Sequence, residues 1–162
     1  MKAAERRGFY RNALSSIYIP FYDALCGILG PQWQPYSGTR TFDEQTALYN
    51  KGRTTPPLGI QHRVTNAPAG TSAHNYAAAT DWTWFEDENL KWLEREDPRW
   101  KEYIDAVTKV GLRPGAEFGD VDHNELKLDC DWPHVLIFYR QNGMVSAQDH
   151  IQANLVNPKP LI

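Results

Sequence analysis

Two short segments of this 162-residue chain carry side chains of the kinds that bind metal ions. The first segment contains His74 and Asp81, and the second contains Asp131 and His134. Imidazole nitrogens and carboxylate oxygens are common zinc ligands, and a catalytic zinc keeps one position open for water. A carboxylate outside the ligand set can take the proton from that water. The pattern therefore predicts metal-assisted hydrolysis.

The spacing of His74 and Asp81 restricts the backbone between them. On a continuous helix the two residues would lie about 10.5 Å apart along the axis. On a continuous strand they would lie on opposite faces. Neither arrangement lets both reach one zinc ion at about 2.0–2.2 Å. We therefore expect His74 on a loop and Asp81 on a following strand, with a bend between them.

The second segment has the complementary arrangement. Pro133 has no backbone N–H and disfavours a helical conformation at Trp132. Asp131 and His134 are therefore expected in an extended or turned entry to a strand over 135–139. A third metal ligand from this second strand would complete a catalytic site.

The elements around these segments follow from local signals. Residues 79–85 and 135–139 are rich in aromatic and β-branched side chains, which is typical of strands. Thr41 and Glu44 form a capping box for a helix over 42–51. Further helices are predicted at 3–18, at 21–29 after an interruption by Pro20, and from 98 to 111, with loops at 53–73 and 112–133. The sequence predicts one α+β domain over residues 1–162.

Composition excludes several classes of protein. The chain has 17 Lys and Arg against 20 Asp and Glu, a formal charge of −3, which argues against nucleic-acid and anionic-membrane binding. Two cysteines cannot build a disulfide framework. We see no signal peptide and no apolar run of transmembrane length, so a cytoplasmic origin without membrane insertion is expected.

The motifs Ser72-Ala73-His74 with Asp81, and Asp131-Trp132-Pro133-His134, resemble those of a known family. They are similar to the zinc peptidoglycan peptidases of the D-Ala-D-Ala carboxypeptidase type, and most of all to the L-alanyl-D-glutamate endopeptidases that serve as bacteriophage endolysins. The resemblance covers most of the chain in ordered blocks, at 37–41, 44–54, 64–81 and 117–134. It implies a small antiparallel sheet that carries the zinc site and packs with helices, the D-Ala-D-Ala peptidase or hedgehog-like fold.

The resemblance also implies roles for individual residues. His74, Asp81 and His134 would be the three zinc ligands, and Asp131 would be the general base. Arg40 would be the cation that stabilises the oxyanion, and Ser72 would lie beside the metal. For Arg40 the alternative is a simple salt bridge behind a helix N-terminus. For Ser72, which would contact substrate or orient His74, the alternative is a loop cap.

The function implied is that of a zinc-dependent endolysin. It would cut the peptidoglycan stem peptide at the L-alanyl-D-glutamate bond for host cell lysis, after waiting in the host bacterial cytoplasm as a monomer. The length predicts a single catalytic domain without a separate cell-wall-binding domain. The alternatives are a D-Ala-D-Ala carboxypeptidase or dipeptidase, a virion-borne wall-piercing enzyme, and a non-catalytic, metal-bearing peptidoglycan-binding module.

Two further features bear on the site. Ala77 stands where the family usually has glycine, which matters if that position needs a positive φ but not if it needs only close packing. Trp82, Trp84 and Trp132 stand within three residues of the proposed site residues in sequence. The second feature suggests an aromatic wall that limits water and aligns substrate.

Overall fold

The computed structural model describes residues 1–94, 96–115 and 134–137, the last of these and Arg113 by their backbone. The helices in this part of the chain are α1 (Ala3–Asn12), α2 (Ile19–Ile28), α3 (Phe42–Asn50) and α4 (Arg99–Lys109). The strands are β1 (Trp33–Ser37), β2 (Ala79–Glu86), β3 (Asn89–Lys91), β4 (Leu112–Pro114) and β5 (His134–Ile137). Two 3-10 turns occupy Ile60–His62 and Ala73–Tyr76.

The strands form one antiparallel sheet with the order β1-β2-β5-β4, and β3 also pairs with β2. Trp84 of β2 pairs with Trp33 of β1 and also with Lys91 of β3, so these two strands lie on opposite edges of β2. The long strand β2 therefore pairs directly with β1, β3 and β5, and β4 joins the sheet through β5.

One face of β2 packs against the helices. The hydroxyls of Tyr18 and Thr80 are hydrogen bonded at 2.9 Å, and the ring of Tyr22 lies 5.4 Å from that of Trp82. Trp33 stacks on Tyr103 of α4 with ring centroids 4.9 Å apart. Because side chains alternate along a strand, Thr80, Trp82 and Trp84 share this core face. Asp81 and Thr83 lie on the opposite face.

The tryptophan wall suggested by the sequence is wrong for Trp82. This side chain is 0% exposed and belongs to the core face, whereas Asp81 belongs to the other face. Trp84 shares the core face and contacts Trp33, with ring centroids 5.5 Å apart. Proximity to Asp81 in sequence misled the prediction because neighbouring strand residues point to opposite sides. Trp132 lies outside the described residues.

Arg7 connects α1 to the end of α2 and the start of β1 through hydrogen bonds. Its guanidinium donates hydrogen bonds to the carbonyls of Cys26, Leu29, Gly30 and Trp33 at 2.7–3.2 Å. The carbonyls at the C-terminal end of a helix have no partner within the helix, so the partly buried guanidinium of Arg7 satisfies them.

The α+β class and the small antiparallel sheet are confirmed, while some element boundaries differ from the prediction. The first helix ends at Asn12, and Pro20 stands in the first turn of α2, where its missing N–H costs nothing. The capping box at Thr41 is present, with Oγ1 accepting from the N–H of Glu44 at 3.2 Å. The prediction missed β1 and β3, and it assigned β4 to a loop. A single domain over 1–162 remains a prediction.

Within the described ranges, the helices are too short or too polar to cross a membrane.

Candidate functional site

His74 and Asp81 meet where a 3-10 turn gives way to β2. His74 lies in the turn Ala73–Tyr76, and Asp81 lies on the strand, as their spacing predicted. Nε2 of His74 is 3.3 Å from Oδ1 of Asp81. The two residues are only 1% and 3% exposed, so this polar contact is withdrawn from solvent.

The bend between them is made at Ala77, which adopts the left-handed conformation with φ 55° and ψ 33°. An L-residue with a Cβ pays about 1–2 kcal/mol for this conformation, whereas glycine adopts it freely. Of the two explanations for the usual glycine, the structure therefore supports the need for a positive φ. The carbonyl of Ala77 accepts a hydrogen bond from the N–H of Ser15 at 2.9 Å, which helps to hold the bend.

This conformation leads to a prediction about stability. Ala77→Gly should be nearly neutral, because relief of about 1–2 kcal/mol of strain offsets the lost methyl burial and the added freedom of the unfolded chain. Ala78 is 4% exposed and Ala77 is 6% exposed, so the two are similarly buried, but Ala78 does not have a positive φ. Ala78→Gly should therefore destabilise the protein by about 1–2 kcal/mol relative to Ala77→Gly. Denaturant unfolding measures both changes, and equal losses of free energy would contradict the strain at Ala77.

The ring of His74 is oriented by the backbone. Its Nδ1 lies 2.6 Å from the carbonyl oxygen of Gly38. A carbonyl can only accept, so Nδ1 carries a proton and Nε2 is the atom that faces Asp81. A Cβ at Gly38 would come within 2.8 Å of the Tyr10 ring, so glycine allows the backbone to lie this close to α1.

Arg40 holds the other oxygen of Asp81. Its Nη2 donates to Oδ2 of Asp81 at 2.6 Å and to Oγ of Ser37 at 2.8 Å. Its Nη1 donates to Oε1 of Gln45 at 3.4 Å, and Gln45, which is 0% exposed, donates in turn to the carbonyl of Ala67 at 2.7 Å. The salt bridge considered for Arg40 thus exists, and its partner is a residue of the candidate site.

Asn75 fixes the backbone around Arg40. Its Nδ2 donates to the carbonyls of Arg40 and Thr41 at 3.1 and 3.2 Å, and its Oδ1 accepts from the N–H of Gly70 at 3.0 Å. The N–H of Arg40 donates to the carbonyl of His74 at 3.0 Å. The turn that carries His74 and the segment that carries Arg40 are therefore one hydrogen-bonded unit.

A β-bulge brings Ser37 into the site. In the pairing of β1 with β2, Pro35 lies opposite Trp82 and Ser37 lies opposite Asp81, so Tyr36 is an extra residue. The bulge moves Ser37 to the face of Asp81, a common use of bulges beside functional sites. Sequence reasoning assigned no role to Ser37, Gln45 or Asn75, because local patterns do not show a bulge or a buried amide contact.

Tyr10 of α1 borders this region. Its hydroxyl donates to the carbonyl of Tyr36 at 2.5 Å. Burial raises the pKa of Tyr10, and the Asp81 carboxylate adds to the rise while Arg6 opposes it. The phenol therefore stays protonated at neutral pH, and it serves as a hydrogen-bond donor.

Ser72 precedes the turn that carries His74 and is 6% exposed. Its carbonyl accepts from the N–H of Asn75 at 3.0 Å. In the part of the chain that the structure describes, the Ser72 side chain accepts no capping hydrogen bond at this turn. The loop-cap alternative is therefore not supported for the hydroxyl, and a role beside the metal remains a prediction.

The remaining proposed site residues are only partly covered. In the pairing of β2 with β5, the backbone of His134 lies directly opposite Asp81. Asp131 lies outside the described residues. Among residues 1–94 and 96–115 and the short β5 segment, no group of three or more His, Cys, Asp or Glu side chains is placed to hold a metal ion.

The His74–Asp81 pair nevertheless fits a shared zinc ion. Two ligand atoms bound to one tetrahedral zinc are about 3.4 Å apart, and Nε2 and Oδ1 are separated by 3.3 Å. Since Nδ1 carries a proton, Nε2 faces the Asp81 carboxylate with either a second proton or a lone pair. With a second proton, His74 and Asp81 form an ion pair. With a lone pair, two electron-rich atoms face each other, and this requires a cation between them.

No protein family model matches the chain. Among solved structures, the chain is similar to the crystal structure of the Serratia marcescens L-Ala D-Glu endopeptidase ChiX, with a TM-score of 0.53. The match covers 83% of this chain and 88% of that one, at 13% sequence identity. The two proteins share a fold. At this identity the fold is all that the likeness to ChiX establishes, and activity has to be argued from the site.

Proposed function

We propose that the protein is a zinc-dependent peptidase that hydrolyses the L-alanyl-D-glutamate bond of the peptidoglycan stem peptide. The observation that carries the proposal is the buried contact of His74 Nε2 with Asp81 Oδ1 at 3.3 Å. The sequence motifs around these residues and the fold shared with an L-Ala D-Glu endopeptidase support the choice of substrate.

His74, Asp81 and His134 would hold the zinc ion. The Gly38 carbonyl holds the His74 ring in the tautomer that a ligating Nε2 requires, the usual second contact of a zinc-binding histidine. The register of β2 with β5 supports His134 as the third ligand, because its backbone lies directly opposite that of Asp81. When bound, the zinc ion polarises the scissile carbonyl and lowers the pKa of a water molecule.

Arg40 would stabilise the negative charge that develops on the carbonyl oxygen. Its guanidinium is held by Asp81, Ser37 and Gln45, and its side chain remains 20% exposed, so substrate can approach it. A fixed cation of this kind needs no reorganisation during the reaction, which is why preorganised charge is effective in catalysis. Asp131 would accept the proton of the attacking water and return it to the leaving amine.

The lytic role is the further part of this proposal. The motifs resemble those of bacteriophage endolysins, which fits a monomer held in the host cytoplasm and released onto the cell wall. The formal charge of −3 suits a site that holds a cation, although it weakens attraction to an anionic wall.

Digestion of purified bacterial sacculi tests the reaction. We expect the protein to release peptides and to generate new α-amino groups on glutamate, identified by N-terminal labelling and mass spectrometry. Release of D-alanine alone would instead show a carboxypeptidase. Binding to sacculi without any new terminus would leave a peptidoglycan-binding module.

A further inference from the structure

A pair of aromatic side chains, the half-buried Tyr36 and the exposed Trp92, lies beside the site described above. The rings of Tyr36 and Trp92 contact each other edge to face, with centroids 5.0 Å apart and planes at 78°. Trp92 is 61% exposed, which is unusual for the largest apolar side chain. The Trp92 ring is therefore accessible to a ligand at the surface.

The strand order shows where this pair lies. Tyr36 belongs to β1, and Trp92 directly follows β3. Because these strands flank β2 on opposite edges, a contact between the two rings has to pass across β2. The helix-facing side of β2 is not available for that crossing, since Trp82 fills it and is 0% exposed.

The aromatic pair therefore covers the face of β2 that carries Asp81 and Thr83. Thr83 is 0% exposed although it lies on the face of β2 opposite to that packed against α2 and α4, and its hydroxyl donates to the carbonyl of Lys91 at 3.0 Å. Two residues of a strand span about 7 Å. The aromatic pair thus begins about that distance from Asp81, on the same surface.

We propose that Tyr36 and Trp92 form a platform for the muramic acid sugar that carries the stem peptide. This proposal rests on the proposed function, in which the cut falls after the L-alanine attached to that sugar. The alanine and the lactyl group place the sugar about 7 Å from the scissile bond, which matches the offset of the platform from Asp81. The C–H faces of a pyranose ring are apolar and pack against aromatic rings.

The surroundings hold one half of the platform in place. Tyr36 is the extra residue of the bulge that brings Ser37 opposite Asp81, and its carbonyl accepts from the hydroxyl of Tyr10. The same backbone feature therefore sets the position of Ser37 in the candidate site and of Tyr36 in the platform. A preorganised surface of this kind loses little conformational entropy when the sugar binds.

The test compares a muramyl tripeptide with the same tripeptide lacking the sugar. Trp92→Ala should lower kcat/KM for the muramyl substrate about fivefold to tenfold and leave hydrolysis of the sugar-free peptide unchanged. Trp92→Tyr should restore most of the loss. Leu58→Ala is the matched control, because Leu58 is 58% exposed, close to the value for Trp92, but lies in the loop before the 3-10 turn Ile60–His62.

A binding measurement separates this proposal from the proposed function. Titration of N-acetylmuramyl-L-alanyl-D-isoglutamine, followed by NMR, should show weaker binding by Trp92→Ala than by the wild type or Leu58→Ala. If neither substrate is hydrolysed, the peptidase fails, yet sugar-dependent binding through Trp92 still supports the platform. Equal effects of Trp92→Ala on both substrates, or no effect on either, would overturn it.

Discussion

His74→Ala should reduce the zinc content from about one ion per chain to almost none and abolish hydrolysis of peptidoglycan. The reason is geometric. His74 supplies the nitrogen that faces Asp81 at 3.3 Å, and the contact of Nδ1 with the Gly38 carbonyl leaves that nitrogen available as the proposed ligand. Loss of one of three protein ligands leaves a pair that binds zinc weakly, and we expect a fall in rate of at least about 10³-fold.

Elemental analysis of the purified proteins measures the metal, and release of peptides from sacculi measures the reaction. His62→Ala is the matched control, since His62 is an exposed histidine in another 3-10 turn, Ile60–His62. It should keep both zinc and activity. Circular dichroism should show that His74→Ala remains folded. A wild-type protein that lyses sacculi without metal and in the presence of chelators would contradict the mechanism.

The local parts of this site were predictable from the sequence. The seven-residue interval between His74 and Asp81 excludes a single helix or a single strand, and this requires the observed bend. Thr41 and Glu44 lie three residues apart, the spacing at which their side chains cap each other's backbone. These features depend on short-range geometry, which the order of residues determines.

The parts that were not predictable depend on pairing between distant strands. Tyr36 is a bulge only because of its register with β2, and nothing in residues 33–37 alone specifies that register. The positions of Trp82 and Trp92 also depend on how distant segments pack together. Sequence gives no indication of which face of β2 the helices cover, so Trp82 beside Asp81 was assigned to the site and the exposed Trp92, ten residues later, was overlooked.

The contact of Arg40 with Asp81 is a further feature that the spacing of residues in the sequence does not show. Arg40 and His74 approach the two oxygens of Asp81 from separate chain segments, and Asn75 joins those segments through the backbone. A cation beside a buried carboxylate keeps that carboxylate ionised. A carboxylate that binds zinc has to be ionised, so in the proposed mechanism Arg40 would support the metal site as well as stabilise the oxyanion.

Asp131→Asn should separate catalysis from metal binding. If Asp131 is the general base, the variant keeps about one zinc per chain, while the rate of hydrolysis falls about 10²- to 10⁴-fold. Asn preserves the size of the side chain but cannot accept the proton, so the loss would reflect chemistry and not packing. Zinc content by elemental analysis and peptide release from sacculi are measured on the same preparation.

Asp105→Asn provides the control, because Asp105 is an exposed carboxylate on α4 whose ion pair with Lys101 is at the surface. It should leave zinc and rate as in the wild type. An Asp131→Asn protein that hydrolyses sacculi at the wild-type rate would remove Asp131 as the base. Loss of zinc together with activity would make Asp131 a metal ligand instead of the base.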